Sequence, residues 1–174
     1  MNTAPTPDAR VRLYHVPLAI ALYLACLFFP ALYVNDNLEP QWPLGLLISG
    51  WGGVFDLNFG WYANPAFALA VLLAGTRPRR SAMLACLALL LALTLPFYGY
   101  VRVHELASRS LISAYGWGYA LWVAAMAVLC GGQLRVRHGA GAALRAGLLA
   151  GGIVVAAFLV YLVLTGLPLT GAPR

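Results

Sequence analysis

Apolar runs of helical length alternate with short polar stretches along this chain, and the pattern predicts its elements in order. Residues 1–12 are polar and form an N-terminal tail ending at Arg10 and Arg12. Tyr14 to Val34 is then uncharged apart from His15, long enough to cross a hydrocarbon core of about 30 Å at about 1.5 Å per residue. A cleaved signal peptide is the competing reading, but its apolar region would run about 7–15 residues and end in small side chains. This run is longer and ends in Phe28-Phe29-Pro30-Ala31-Leu32-Tyr33-Val34, so it reads as a retained span, with Pro30 kinking or ending it. Asn35 to Pro43 is a loop. Leu44 to Phe55 is Gly-rich and too short to cross, Asp56 to Asn58 reads as a turn, and Phe59 to Gly75 is again apolar. Thr76-Arg77-Pro78-Arg79-Arg80 closes that run, and Ser81 to Val101 is the cleanest span. Arg102 to Ser113 is a polar connector, Ala114 to Gln133 a span, Leu134 to Arg145 a basic loop, and Ala146 to Pro168 the last span.

The fold class expected from this pattern is all-α: a polytopic membrane protein, a bundle of five transmembrane helices with a short interfacial helix allowed at Leu44 to Phe55. Residues 13–168 form a single domain between the N-terminal tail and a C-terminal tail at 169–174. Charge fixes its orientation. Eight Arg (10, 12, 77, 79, 80, 135, 137, 145) fall on the side of the N-terminus and three (102, 109, 174) on the other, which predicts a cytoplasmic N-terminus and a periplasmic C-terminus.

Composition strengthens the membrane reading. The 174 residues are 62% apolar and 9% charged, whereas a soluble domain carries about 25% charged residues. A chain this short has too much surface to hide that much apolar area from water. The net charge of +6 does not point to nucleic acid, because the Arg lie in short loops between apolar runs rather than on one soluble face. Cys26, Cys86 and Cys130 sit inside apolar runs without metal-ligand or disulfide spacing and read as small hydrophobes, so no cofactor or metal is implied. No Asp, Glu, Arg, Lys or His lies mid-span, which counts against an ion-coupled pump. Gly147-Leu-Leu-Ala-Gly151, and Gly116 with Ala120 and Ala124, offer small faces for close helix packing.

The stretch from Trp51 to Pro65 has the most chemical character. Leu44 to Gly75 is too long for one crossing and too short for two. Either the helix begins near Asn58 and tolerates Pro65 in its second turn, or Trp61 to Pro65 is irregular and packed against other helices. In either case the amide of Asn64 is expected to satisfy backbone groups freed around Pro65, with Trp61 and Tyr62 bracing the segment at the outer interface. Ten of the fourteen Trp and Tyr fall near that interface, as an aromatic belt or as the wall of an outward-facing groove.

Asp56, Asn58, Trp61, Tyr62, Asn64, Arg102, His104, Glu105 and Arg109 form the candidate polar and aromatic cluster on that face. Read structurally, Asp56 and Asn58 make a turn while Arg102, Glu105 and Arg109 pair along a short helix, being three and four residues apart. Read functionally, they form a headgroup- or peptide-binding patch in which Arg holds an anion and His104 or Glu105 handles a proton. No nucleophile, zinc or phosphate-loop motif accompanies them.

The segments Gly60-Trp-Tyr-Ala-Asn-Pro65 and Gly118-Tyr-Ala-Leu-Trp122 resemble short signatures of small uncharacterised bacterial inner-membrane proteins. That resemblance implies a helical inner-membrane protein and brings neither activity nor site residues. Two functions remain open: an accessory or interaction component, its partners the lipid bilayer and another membrane protein, or an outward-facing enzyme or carrier for a lipid-linked or amphipathic substrate. The sequence leans to the first.

Overall fold

The computed structural model describes residues 7–35, 37–102 and 109–138. The long apolar run at the N-terminus is divided rather than continuous. Helix α1 covers Pro7–Cys26 and the chain then turns at Pro30, which has no N–H to donate and disfavours helix in the residue before it. Leu32–Val34 continue as strand β1, whose aromatic and β-branched residues suit a pleated surface. Strand β2 (Glu39–Gln41) returns antiparallel to it, with Leu32 opposite Gln41.

Helix α2 (Pro43–Ser49) starts on a Pro at its first position and runs into a 3-10 helix at Gly50–Asp56. A second 3-10 turn, Gly60–Tyr62, leads into helix α3 (Ala63–Leu73). Helix α4 is Pro78–Thr94, extended by a 3-10 turn at Leu95–Phe97. Strands β3 (Tyr100–Arg102) and β4 (Arg109–Tyr115) follow, then helix α5 (Trp117–His138).

The described chain is therefore mostly helical with a four-stranded antiparallel sheet, in the order β2-β1-β4-β3. This corrects the all-α, five-span expectation. Two helical segments, Pro78–Phe97 and Trp117–Val136, are long and apolar enough to cross a membrane. The other apolar helices, Tyr14–Cys26, Pro43–Val54 and Gly60–Leu73, are shorter. The first expected span fails because its helix ends at Cys26 and its last three residues, Leu32–Val34, pair in the sheet. Leu44 to Gly75 fails as one crossing because it breaks into four pieces. The last expected span, Ala146 to Pro168, and the Gly147–Gly151 motif lie outside the described residues.

The connector expected at Arg102 to Ser113 is also not a short helix at its ends: Arg102 and Arg109 sit opposite one another across β3 and β4. Leu111, Ile112 and Tyr115 favour extended backbone, and β4 pairs on its other side with β1. The β1–β4 register skips Ser113, a bulge where the Ser113 hydroxyl donates to Asn35 O at 2.8 Å.

Four helices alternate in direction and form an up-down bundle beneath the sheet. Helix α5 packs antiparallel to α1 and to α4, α3 packs on α4, and Tyr23 of α1 stacks on Phe67 of α3 at 5.0 Å between centroids. The contact faces are lined largely by alanine: Ala19, Ala66, Ala70, Ala85, Ala88, Ala92 and Ala125 are all buried, with Phe67, Met126 and Leu129 filling the space between them. The small face expected at Gly116, Ala120 and Ala124 is offset, since Ala120 is exposed and the buried face of α5 carries Gly118, Ala125, Leu129 and Gln133. At the end away from the sheet, Gly132 leaves room for the His15 ring, which lies 3.2 Å from Gln133 Nε2.

Large apolar side chains point the other way. Leu72 is 73% exposed, Met83 62%, Leu90 61% and Ile48 70%.

Candidate functional site

Between the bundle and the sheet lies a cavity of about 100 Å³, and the segment from Gly50 to Asn64 forms one of its walls. The local backbone explains how that wall is held. The 3-10 helix ends at Leu57, which adopts a left-handed conformation (φ 60°) that an L-residue with a bulky side chain takes only under constraint. The constraint is visible on both sides of it. Asn58 N–H donates to Gly53 O at 2.9 Å, and the Tyr98 hydroxyl donates to Leu57 O at 2.6 Å. Asn58 is buried, and its Oδ1 accepts from Gly60 N–H at 3.1 Å, turning the chain toward α3.

Trp61 ties the short helix α2 to this wall, its indole N–H donating to Leu47 O at 2.8 Å. Its ring meets Tyr62 edge-on at 5.3 Å.

Asn64 is the polar hub of the site. Pro65 lacks the N–H that would reach back to Trp61 O in a continuous α-helix. Asn64 Nδ2 donates to that same carbonyl at 2.9 Å, replacing the missing bond. Its Oδ1 accepts two further bonds, from the Tyr23 hydroxyl at 2.9 Å and from Trp122 Nε1 at 2.8 Å. An amide oxygen has two lone pairs, and both are used. One side chain on α3 thus joins α1 and α5 at the floor of the cavity. Tyr119, whose hydroxyl donates to Ala92 O at 3.1 Å, adds a link from α5 to α4 and packs its ring against Trp122.

The remaining walls are apolar. Cys26, Leu27, Ala31 and Leu32 come from the end of α1 and from β1, Pro43, Leu46 and Leu47 from α2, and Leu95 and Val101 from the α4–β3 corner. Helix α2 has no buried residue; it turns Leu46 and Leu47 toward the cavity while Leu44, Ile48 and the following Trp51 face outward.

Of the cluster expected from sequence, Asn58, Trp61 and Asn64 line the cavity together, and Tyr62 supports Trp61 from beside it. Asp56 ends the 3-10 helix, and Arg102 and Arg109 face each other across the hairpin. His104 and Glu105 lie outside the described residues. Tyr23 and Trp122 were not singled out as site residues, although Trp122 belongs to the Gly118-to-Trp122 segment noted above. A hydroxyl or indole inside a run of Leu and Ala was the available signal, since such a group needs a partner when buried. Among the described residues no cluster of three or more His, Cys, Asp or Glu could hold a metal ion.

What the arrangement can do is enclose a small molecule against aromatic and aliphatic walls, with few polar groups to orient it. Its hydrogen-bonding side chains are spent on structure, so shape and apolar contact dominate the chemistry it offers. Comparison of the chain with protein-family models, curated proteins and solved structures finds no match.

Proposed function

We propose that this is an integral membrane protein that acts without catalysis, as a component holding one small, largely apolar or amphipathic molecule in the cavity beneath its sheet. The cavity is the observation that carries the reading. Its roughly 100 Å³ compares with the cavity of about 150 Å³ that takes up benzene in an apolar core, and mostly apolar walls with a few fixed polar groups are the usual makeup of a small-molecule site.

The membrane part of the proposal draws on α4 and α5, whose apolar windows are only 33% and 28% buried in the molecule. A core helix of a water-soluble protein would be mostly covered. These two helices cross the bilayer, and α1 and α3 are carried beside them. Positions Arg10, Arg12, Arg77, Arg79, Arg80, Arg135 and Arg137 fall at the end of the bundle away from the sheet, and this clustering supports a reading with that end in the cytoplasm and the sheet outside. The segment resemblance noted above would make the membrane a bacterial inner membrane. Because the outward side of α2 is apolar, the ligand enters from the lipid rather than from water.

The test is native mass spectrometry of the protein released from nanodiscs, with benzyl alcohol, a small amphiphile of about the cavity's size, as added probe. The wild type should retain one bound probe, and Leu46→Trp, which fills the cavity from α2, should lose it while keeping its helical content. Equal binding by both, or none by the wild type, would reject the cavity as the site.

A further inference from the structure

Away from the cavity, two thiols meet inside the bundle. Cys86 on α4 and Cys130 on α5, 44 residues apart in the chain, bring their Sγ atoms to 3.2 Å. Alanines allow this approach: Ala82, Ala85, Ala88 and Ala125 are all buried, so the two helix backbones lie close where the sulfurs face each other.

The two thiols differ in access. Cys130 is 6% exposed and sealed within the core, whereas Cys86 is half-buried. Cys86 also forms part of a groove on the outer surface between α4 and α5, bordered by Ala82, Met83, Leu87, Leu90 and Leu134. One sulfur is thus reachable through an apolar groove and the other is held against it, which is the arrangement of a thiol that attacks a peroxide and a thiol that resolves the product. Cys26 lies apart from the pair, buried at the cavity wall.

We propose that Cys86 and Cys130 form an oxidation site at which an apolar organic hydroperoxide converts the two thiols into a disulfide joining α4 to α5. In the first step the Cys86 sulfur attacks the terminal oxygen of the hydroperoxide. The O–O bond breaks, the departing alkoxide takes up the thiol proton to leave as an alcohol, and Cys86 becomes a sulfenic acid. In the second step the Cys130 sulfur attacks the Cys86 sulfur, the S–OH bond breaks, and the hydroxide leaves as water with the Cys130 proton. Two thiols lose two electrons, and the hydroperoxide is reduced to alcohol and water. The sulfurs must close by about 1 Å to reach bonding distance, within the range of small χ1 adjustments. The groove offers only aliphatic and thioether surface, so an oxidant that dissolves in hydrocarbon is favoured over one that must shed water.

The experiment uses the full chain in nanodiscs, exposed to cumene hydroperoxide or to hydrogen peroxide at equal concentration, then denatured in a maleimide and digested. Cumene hydroperoxide should remove two of the three thiols per chain and yield a cross-linked peptide containing Cys86 and Cys130, with Cys26 still alkylated, and faster than hydrogen peroxide does. The oxidised protein should also melt at a higher temperature than the reduced one. In Cys130→Ala, dimedone should trap a sulfenic acid at Cys86; Cys26→Ser should cross-link as the wild type does. No cross-linked peptide under conditions that oxidise N-acetylcysteine in the same nanodiscs, loss of Cys26 as fast as the pair, or faster reaction with hydrogen peroxide would each overturn the proposal.

Discussion

Asn64 makes three hydrogen bonds to three parts of the molecule, and a change there tests whether the bundle's upper end is held by polar contacts or by packing. Asn64→Leu is close in volume but leaves Trp61 O, the Tyr23 hydroxyl and Trp122 Nε1 without the partner they have now. Unpaired groups in such half-buried settings cost about 1–3 kcal/mol, so the variant should melt well below the wild type in the same detergent. Asn37→Ala, in an exposed turn, should melt with the wild type. Equal melting of Asn64→Leu and wild type would mean that packing alone holds the floor. The role of Asn64 was legible beforehand because Pro65 advertises a missing donor one residue away. Its partners on α1 and α5 were not, since nothing in a single sequence links Tyr23 or Trp122 to position 64. Leu57 offers a second test at this scale. Its left-handed backbone costs an L-residue about 1–2 kcal/mol, and its side chain is 69% exposed with little packing to lose. Leu57→Gly should therefore raise stability by up to about 1 kcal/mol, after the entropy that glycine adds to the unfolded chain, read as a higher melting temperature.

The elements divide into those with a local signature and those without one. Helices α4 and α5 announce themselves by length and uniform apolarity, and Pro78 at the start of α4 is ordinary helix-start chemistry. The sheet has no such signature. Strand β1 is three residues at the end of a greasy run, and a short apolar run reads equally well as helix or buried strand. What decides is β4, about 80 residues further on, which periodicity cannot see. Where the sheet passes into α5, Gly116 N–H donates to Ala31 O and Gly118 N–H to Pro30 O, both at 2.9 Å. These bonds draw the start of α5 so near the Phe29–Pro30 backbone that a Cβ at Gly118 would run into the Phe29 carbonyl. Backbone cannot step aside as a flexible side chain can. Gly118→Ala should lower stability by about 1–3 kcal/mol. Gly131→Ala, on the same helix with open space around the added carbon, should raise it by about 0.5–1 kcal/mol through helix propensity. Chemical or thermal melts of the pair separate the close approach at one glycine from the general effect of adding a methyl group to α5.

At the scale of the whole molecule, the distribution of side-chain size is shifted relative to a water-soluble bundle: alanines make up most of the buried helix contacts, while many leucines, with Met83, face out. In water that arrangement would leave the hydrophobic effect largely unused, because the groups worth most on burial are the ones left exposed. In lipid it is the expected one, since tails are as apolar as leucine and helices associate through close contact of small residues. The two environments therefore give opposite forecasts for one substitution. Leu90 lies in the α4 window and is 61% exposed, making few contacts whose loss could confuse the result. If α4 crosses a bilayer, Leu90→Asp sets a carboxylate in hydrocarbon at a cost of about 2.5–3.5 kcal/mol near the middle of a span. The variant should then leave the carbonate-resistant membrane fraction and fall in abundance, while Leu90→Ala stays in it. If the bundle instead lived in water, the same Asp would sit on a solvated face, change stability by no more than about 0.5 kcal/mol and improve solubility. Recovery of Leu90→Asp as an abundant, folded, water-soluble protein would defeat the membrane proposal outright, and with it the entry of a ligand from the lipid side past α2.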